Sequence, residues 1–460
     1  MAREDRVREK RASGPDIRSG RLAAERYAAN FGDLHPDLTQ DNALVAANRC
    51  YFCYDAPCIE ACPTGIDIPG FIRKIATGNI EGSAIRILEA NIFGGACGRV
   101  CPTEILCEQA CVRNAEEGGP VAIGRLQRHA TDPVILATDH HPFERAPTTG
   151  KRIAVVGGGP AGLACAHRLA MLGHDVVVFE AREHLGGLNE YGVAEYKVPD
   201  RFARREVEFI LGIGGIEART GTALGREVSL AELRRSHDAV FLGMGLAGVR
   251  ALESEGEALA GVANAVDYIA ELRQATDFAA LSVGRRILVI GGGNTAIDIA
   301  VQTKRLGAKE VTMVYRRGPE AMSATGHEQE FAQINGVTIR HWARPVRLLG
   351  KDGHVVGGEF EATALDGDGR LTGTGDRFVL AADMVFKAIG QTFIAGGVSG
   401  GPADALELKD GRIAVDKGFR TSVPGVWAGG DCIVGGLDLT VEAVEHGKRA
   451  AHAIDAALKR

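Results

Sequence analysis

Two runs, Cys50-Tyr51-Phe52-Cys53-Tyr54-Asp55-Ala56-Pro57-Cys58-Ile59-Glu60-Ala61-Cys62-Pro63 and Cys97-Gly98-Arg99-Val100-Cys101-Pro102-Thr103-Glu104-Ile105-Leu106-Cys107-Glu108-Gln109-Ala110-Cys111, hold eight of the ten cysteines within 62 residues. Each run carries a Cys-Pro step, and grouped cysteines of this kind mark iron–sulfur ligation of the ferredoxin type. A zinc ribbon would repeat a Cys-x2-Cys pair, and only Cys50 and Cys53 have that spacing. A disulfide framework belongs to short secreted chains with little core, whereas this chain is long enough to bury one and shows no apolar leader. The spacing therefore points to clusters, with Cys97 as readily a ligand as its neighbours.

Working outward, 460 residues suggest about two to four domains. An apolar share of 45% places the chain among globular proteins, and a formal net charge of -6 argues against a nucleic-acid partner. No run is long and apolar enough to cross a bilayer, so a cytoplasmic enzyme is expected. Sixty-one glycines point to tight turns and close backbone approach to ligands.

Residues 1 to about 20 mix Arg3, Arg6, Arg8, Lys10 and Arg11 with Glu4, Asp5 and Glu9, which reads as a solvated arm; a transit peptide would lack the acids. Short helices are expected from Asp41 to Thr131. Pro69 can open one through Phe71, Ile72 and Ile75, and Ile80, Ala84, Ile87, Leu88 and Ile92 form a second stripe. The 34 residues between Cys62 and Cys97 then make a helical hairpin that brings the cysteine runs together. His140, His141, Pro142, Pro147 and Gly150 read as a linker, its histidines solvated.

Arg152-Ile153-Ala154-Val155-Val156 reads as a buried parallel strand, leading into Gly157-Gly158-Gly159-Pro160-Ala161-Gly162 and a helix through Leu169. A second strand, Val176 to Phe179, ends in Glu180, which can bond ribose hydroxyls. Gly157 makes the turn, Gly159 admits a pyrophosphate, Gly162 lets the helix pack, and the helix N-terminus favours the anion. Strands, helix and terminal acid together make this a strong dinucleotide fingerprint. Cys165, inside the helix, reads as core.

The pattern recurs in Arg286 to Ile290, Gly291-Gly292-Gly293-Asn294-Thr295-Ala296, and the strand Val311 to Tyr315. This one ends in Arg316-Arg317, whose guanidinium forks suit the 2′-phosphate of NADPH. Strands ending near Gly245 and Gly390 read as the returns closing each unit, which frames the second unit as an insertion in the first. Val426 to Asp431, followed by a helix from Thr440 to Gly447, offers an acid and a helix N-terminus to a flavin.

With these motifs the chain resembles the flavin and iron–sulfur electron-input module of dihydropyrimidine dehydrogenase in its separate bacterial subunit form, and is similar to the related small subunit of glutamate synthase. The two-part cysteine pattern and Gly124-Arg125-Leu126-Gln127-Arg128 carry the resemblance, which covers residues from about 40 to 460. It implies an α/β chain: an all-helical double [4Fe–4S] domain over 1–145, an FAD-binding Rossmann-like domain over 148–249 and 396–460, and an NAD(P)-binding one over 250–395 inserted in it. It implies one cluster on Cys50, Cys53, Cys58 and Cys111, and a second on Cys62, Cys101, Cys107 and Gln127, with Cys97 a non-ligand. The glutamate synthase relatives tend to have an acid in place of the glutamine, which favours the pyrimidine enzyme.

The resemblance further implies FAD contacts at Gly157, Gly158, Gly159, Pro160, Ala161, Gly162, Glu180, Gly187, Leu188, Lys197, Gly430, Asp431, Leu439 and Thr440. For the nicotinamide coenzyme, NADPH or NADH, it implies Gly291, Gly292, Gly293, Asn294, Thr295, Ala296, Arg316, Arg317, Ala388, Ile389 and Gly390. Ser323 stands where a third basic residue grips the 2′-phosphate in the animal enzymes, which relaxes the expected NADPH preference. The implied reaction needs no side-chain nucleophile: FAD takes hydride from NAD(P)H and feeds two clusters, and the electrons leave to a partner FMN subunit that reduces uracil or thymine. A glutamate synthase small subunit is the alternative, and a stand-alone NAD(P)H oxidoreductase a further one. A thioredoxin reductase needs a Cys-x2-Cys dithiol, and only Cys165 and Cys432 lie beyond residue 111. A non-catalytic iron–sulfur scaffold would not need two dinucleotide sites.

Overall fold

A computed structural model describes residues 17–116, 118–137, 141–397 and 405–459. Residues 1–16, which hold the charged residues of the expected N-terminal arm, and His140 lie outside them. By its internal contacts the chain divides into one unit of Gly32–Val249 with Gln391–Arg460 and another of Met1–Phe31 with Arg250–Gly390.

The first unit begins with helices α1 (Gln40–Ala47), α2 (Ile68–Ala76) and α3 (Ile80–Ala90). Asp67 caps the start of α2 by accepting from the Gly70 amide at 3.0 Å, Gly78 at φ +77° ends that helix, and Asn79 caps α3 through Gly82 at 2.9 Å, so α2 stops and α3 starts within three residues. This is the expected hairpin. Its apolar stripes, Phe71, Ile72 and Ile75 against Ile87, are buried together with Ile66, Ile123 and Leu126, and the half-buried Cys50, Cys58, Cys62, Cys107 and Cys111 pack on this core.

Two more helices complete the segment: the seven-residue α4 (Gly94–Val100) and α5 (Ile123–Leu136), which carries buried Gln127, Arg128, Thr131 and Asp132. Those charges are networked: Arg99 meets Asp132 at 2.6 Å, and Arg128 meets Asp132 at 3.1 Å and Asp33 at 2.6 Å. Buried ions need such partners, because desolvation otherwise outweighs their attraction.

Strands β1 (Arg152–Val156) and β2 (Asp175–Phe179) flank helix α6 (Pro160–Met171), close to the limits expected from the apolar runs. Helix α7 (Phe202–Leu211), β3 (Ile216–Arg219) and β4 (Ala239–Leu242) follow. His141, expected to be solvated, instead stacks on Phe209 with ring centroids 4.7 Å apart and lies 5.5 Å from buried His167, because the linker closes over an apolar edge of α7.

The second unit has its own parallel sheet of β5 (Val262–Asn264), β6 (Arg286–Ile290), β7 (Glu310–Val314), β8 (Thr338–Arg340) and β12 (Met384–Lys387), in the order β8-β7-β6-β12-β5. A three-stranded antiparallel sheet of β9 (Ala343–Lys351), β10 (His354–Leu365) and β11 (Leu371–Ala381) lies between β8 and β12 in sequence. Helix α8 (Asn294–Arg305) follows the second glycine turn.

Residues 17–31, expected in the helical iron–sulfur segment, belong to this unit instead. Ile17 and Arg18 pair antiparallel with Gly284 and Val283, the Phe31 ring packs tilted on Phe278 with centroids 4.4 Å apart, and the Asn30 side chain donates to the Arg305 carbonyl at 2.7 Å. The apolar side of helix Ala24–Phe31 finds its cover more than 240 residues away in the chain.

The chain then returns to the first unit with β13 (Val426–Ala428) and α9 (Thr440–Leu458), giving the all-parallel order β13-β4-β1-β2-β3. Among the described residues no helix is long and apolar enough to cross a membrane.

Candidate functional site

The cysteines form two gatherings within the first unit. Cys50, Cys53, Cys58 and Cys111 line one cavity together with Pro57, Ile68, Ile72, Val121 and Ile123. Burial pushes the Cys58 thiol up to about 12, and the Cys111, Cys50 and Cys53 sulfurs add to it. Phe52 holds a left-handed φ of 53°, unusual for a bulky residue, and its amide donates to the Cys50 sulfur at 3.4 Å. Backbone strain is accepted there where it points an N–H at sulfur.

In the second gathering Cys101 is raised by a hydrogen bond with Cys97, by burial, and by the Cys107 and Cys62 sulfurs. The Thr64 hydroxyl lies 3.3 Å from the Cys62 sulfur. Cys97 is buried in the core shared with the first sheet. Gln127 is also buried, and its Nε2 donates to the Gly94 carbonyl at 2.7 Å. Among the described residues no three His, Cys, Asp or Glu converge as the ligands of a single ion would. Thiols spread around a space, each able to take its own iron, suit a [4Fe–4S] cluster.

The first glycine turn is a cradle without side chains. Gly157 has φ +100°, and a Cβ there would collide with the Gly243 carbonyl; a Cβ on Gly162 would collide with the Gly157 carbonyl. At Gly159 the nearest neighbour of such a Cβ is Gly187 Cα at 3.6 Å, so the turn stays open where a pyrophosphate would approach. Pro160 and Ala161 begin α6. Glu180, at the end of β2, accepts from Gly158 N–H at 2.7 Å through one oxygen and from Arg182 N–H at 2.8 Å through the other, which fixes the carboxylate beside the turn.

Gly187 and Leu188 cap and open the short helix Leu188–Tyr191, and Lys197 is half-buried at the end of a 3-10 turn. Leu439 caps α9, and the Thr440 hydroxyl donates to Asn189 at 2.9 Å. Asp431 keeps a buried, unpartnered Oδ1, and burial together with Asp438 pushes its carboxyl up to about 7. An orphaned polar atom beside a side-chain-free cradle is what a bound flavin would complete. Sequence reading did not single out His446, whose Nδ1 accepts the Gly430 amide at 3.2 Å; burial lowers its pKa, which suits this neutral acceptor role.

The second turn repeats the geometry. Gly291 has φ +147°, and a Cβ there would collide with the Ala388 carbonyl; one on Gly292 would collide with the Tyr315 ring. Gly293 faces the Ser323 hydroxyl, and Asn294, Thr295 and Ala296 begin α8. Ala388 donates to the Ile290 carbonyl at 2.8 Å, followed by Ile389 and by Gly390 at φ +105°. Arg316 and Arg317 follow β7 with exposed side chains.

Two dinucleotide cradles and a cysteine-rich helical segment in one chain define a flavin- and nicotinamide-dependent iron–sulfur oxidoreductase. The chain belongs to the pyridine nucleotide-disulphide oxidoreductase family, whose pattern matches residues 151–447. Residues 27–138 match dihydropyrimidine dehydrogenase domain II, 4Fe-4S cluster.

Among relatives, the NADPH glutamate synthase small chain of Escherichia coli is 33% identical over 444 residues, spanning 92% of this chain and 93% of that one. The NAD-dependent dihydropyrimidine dehydrogenase subunit PreT of the same organism is 34% identical over 429 residues, spanning 92% and 96%. The NADP(+)-dependent formate dehydrogenase subunit beta of Moorella thermoacetica is 34% identical over 444 residues, with 60% of its length matched. The fold alone is shared with FprA from Mycobacterium tuberculosis, at a TM-score of 0.56 and 22% identity over 68% of this chain and 85% of that one.

Proposed function

We propose that this chain is an electron-input subunit: it oxidises NAD(P)H at FAD and passes electrons singly through two [4Fe–4S] clusters to an FMN-containing partner that reduces uracil or thymine to the 5,6-dihydropyrimidine. FAD, when bound, supplies the conversion of a two-electron hydride into single electrons, and each cluster carries one. The chain's own residues bind, orient and keep water out. Gly157, Gly158, Gly159 and the α6 N-terminus would take the flavin pyrophosphate, Glu180 its ribose hydroxyls, and Asp431 with the Thr440 end of α9 the rest of the cofactor. The second turn with Arg316 and Arg317 would take the nicotinamide coenzyme, and the exposed guanidinium pair favours a 2′-phosphate.

For the clusters we assign Cys50, Cys53, Cys58 and Cys111 to one, and Cys62, Cys101, Cys107 and Gln127 to the other. The observation that carries the second set, and the pyrimidine reading with it, is the buried Gln127 amide: its nitrogen is committed to Gly94, so its carbonyl oxygen is the donor end. The relatives named above are themselves subunits or chains of larger enzymes, in keeping with a separate acceptor polypeptide. The glutamate synthase reading is supported by an almost equal identity, 33% against 34%.

The test is to purify the chain anaerobically, assay NAD(P)H oxidation with a one-electron dye, then add candidate partners. Dye reduction by the chain alone, with uracil reduction appearing only on addition of an FMN subunit, supports the reading. Glutamate formation with a glutamate synthase large chain, and no uracil reduction with any FMN subunit, replaces it by the alternative.

A further inference from the structure

Helix α4 is held from both sides. Glu206 of α7 accepts the Ala96 amide at 2.9 Å through Oε1, and the Gly95 amide also hydrogen-bonds to its carboxyl. On the opposite side Gln127 of α5 donates to the carbonyl of Gly94, the first residue of the same helix. A Cβ on Gly95 would strike the Phe202 ring, and one on Gly98 would lie 3.1 Å from the Gly124 carbonyl, so α4 touches both neighbouring helices through bare backbone. Arg99 tightens the grip: it donates to the Gly95 carbonyl at 3.0 Å, forks onto Asp132, and lies 3.5 Å over the Phe202 ring. The helix ends at Cys101, whose amide donates to the Cys97 carbonyl at 3.1 Å.

We propose that Glu206 is a positioning residue for the second cluster: by capping α4 it fixes the Gly94 carbonyl, which turns the Gln127 amide so that its oxygen faces the iron, and it steadies the Cys101 end of the same helix. The inference rests on reading Gln127 as a ligand. It gives a flavin-side helix control over cluster geometry, since α7 packs beside α6 of the dinucleotide unit. The role needs an acceptor oxygen and no charge. Burial, the largest influence on Glu206, pushes its carboxyl up to about 8, so it accepts these amides mostly as the neutral acid near neutral pH. Nothing in the local sequence announces this, because Glu206 is 110 residues from the amide it caps.

The experiment compares wild type, Gln127→Ala, Glu206→Ala, Glu206→Gln and Glu206→Asp as anaerobically purified full chains. Readouts are the EPR signal and midpoint potential of each cluster, the flavin spectrum, and the rate at which a chelator extracts iron. The signal altered by Gln127→Ala identifies the second cluster. Glu206→Ala is expected to perturb that same signal and shift its potential, and to speed release of its iron roughly 10-fold or more, the usual effect of removing a residue that orients a metal ligand. The other cluster and the flavin spectrum should stay as in wild type, and Glu206→Gln, which keeps the acceptor oxygen, should restore the wild-type signal. If Glu206→Ala does not accumulate, Glu206→Asp, which withdraws the oxygen by one methylene, should show the same change in smaller measure.

A wild-type second-cluster signal in Glu206→Ala or Glu206→Asp, beside an altered one in Gln127→Ala, overturns the positioning role and leaves the ligand reading intact. An unaltered signal in Gln127→Ala overturns the ligand reading itself, and Glu206 then has no amide to position.

Discussion

Arg316 and Arg317 stand where an acid would select a free 2′-hydroxyl, and both are exposed after β7. Replacing both by Ala is expected to weaken NADPH far more than NADH, since each charge-assisted contact to a phosphate is worth about 1.5–3 kcal/mol. Steady-state KM values for the two coenzymes measure this, and equal losses would refute the assignment. Cys97 and Gln127 are the two candidates for the fourth ligand of the proposed second cluster. Cys97→Ser should keep the iron content and spectrum near wild type, whereas Gln127→Ala should lose or convert that cluster; the reverse pattern would return Cys97 to the ligand set. Spacing alone favours Cys97, and Gln127 enters only through the resemblance, because an amide ligand obeys no cysteine-spacing rule. The glycines were legible for the opposite reason: at Gly157, Gly162 and Gly291 a side chain would collide with backbone, so the residue type states the geometry.

The strands β1, β2, β6 and β7 could be read to within a residue or so, because buried parallel strands are short apolar runs between turn signals. Helix Ala24–Phe31 falls within the expected iron–sulfur segment, and its place in the second unit was hidden because its cover is remote in sequence. The crossing of α6 and α9 was equally hidden. There a Cβ on Gly447 would collide with the Ala161 carbonyl, so the two helices touch backbone to backbone beside the flavin cradle. Gly447→Ala must push them apart and is expected to cost about 1–3 kcal/mol, in the range of overpacked cores. The purified variant should also carry less FAD. Full flavin occupancy with an unchanged denaturation midpoint would show that the crossing has slack.

The insertion of one dinucleotide unit in another was visible in the return strands, and β4 and β12 do lie hydrogen-bonded beside β1 and β6, each inside its own sheet. The acceptor polypeptide is not written in the same way, because relatives named for different reactions share this architecture at 33% and 34% identity. What the chain does commit to is a pair of clusters and one flavin. Iron, acid-labile sulfide and FAD should therefore be determined together on anaerobically purified protein. The proposed ligand sets predict about eight irons and eight sulfides for each FAD, two [4Fe–4S] clusters' worth, and about four irons for each FAD would contradict them.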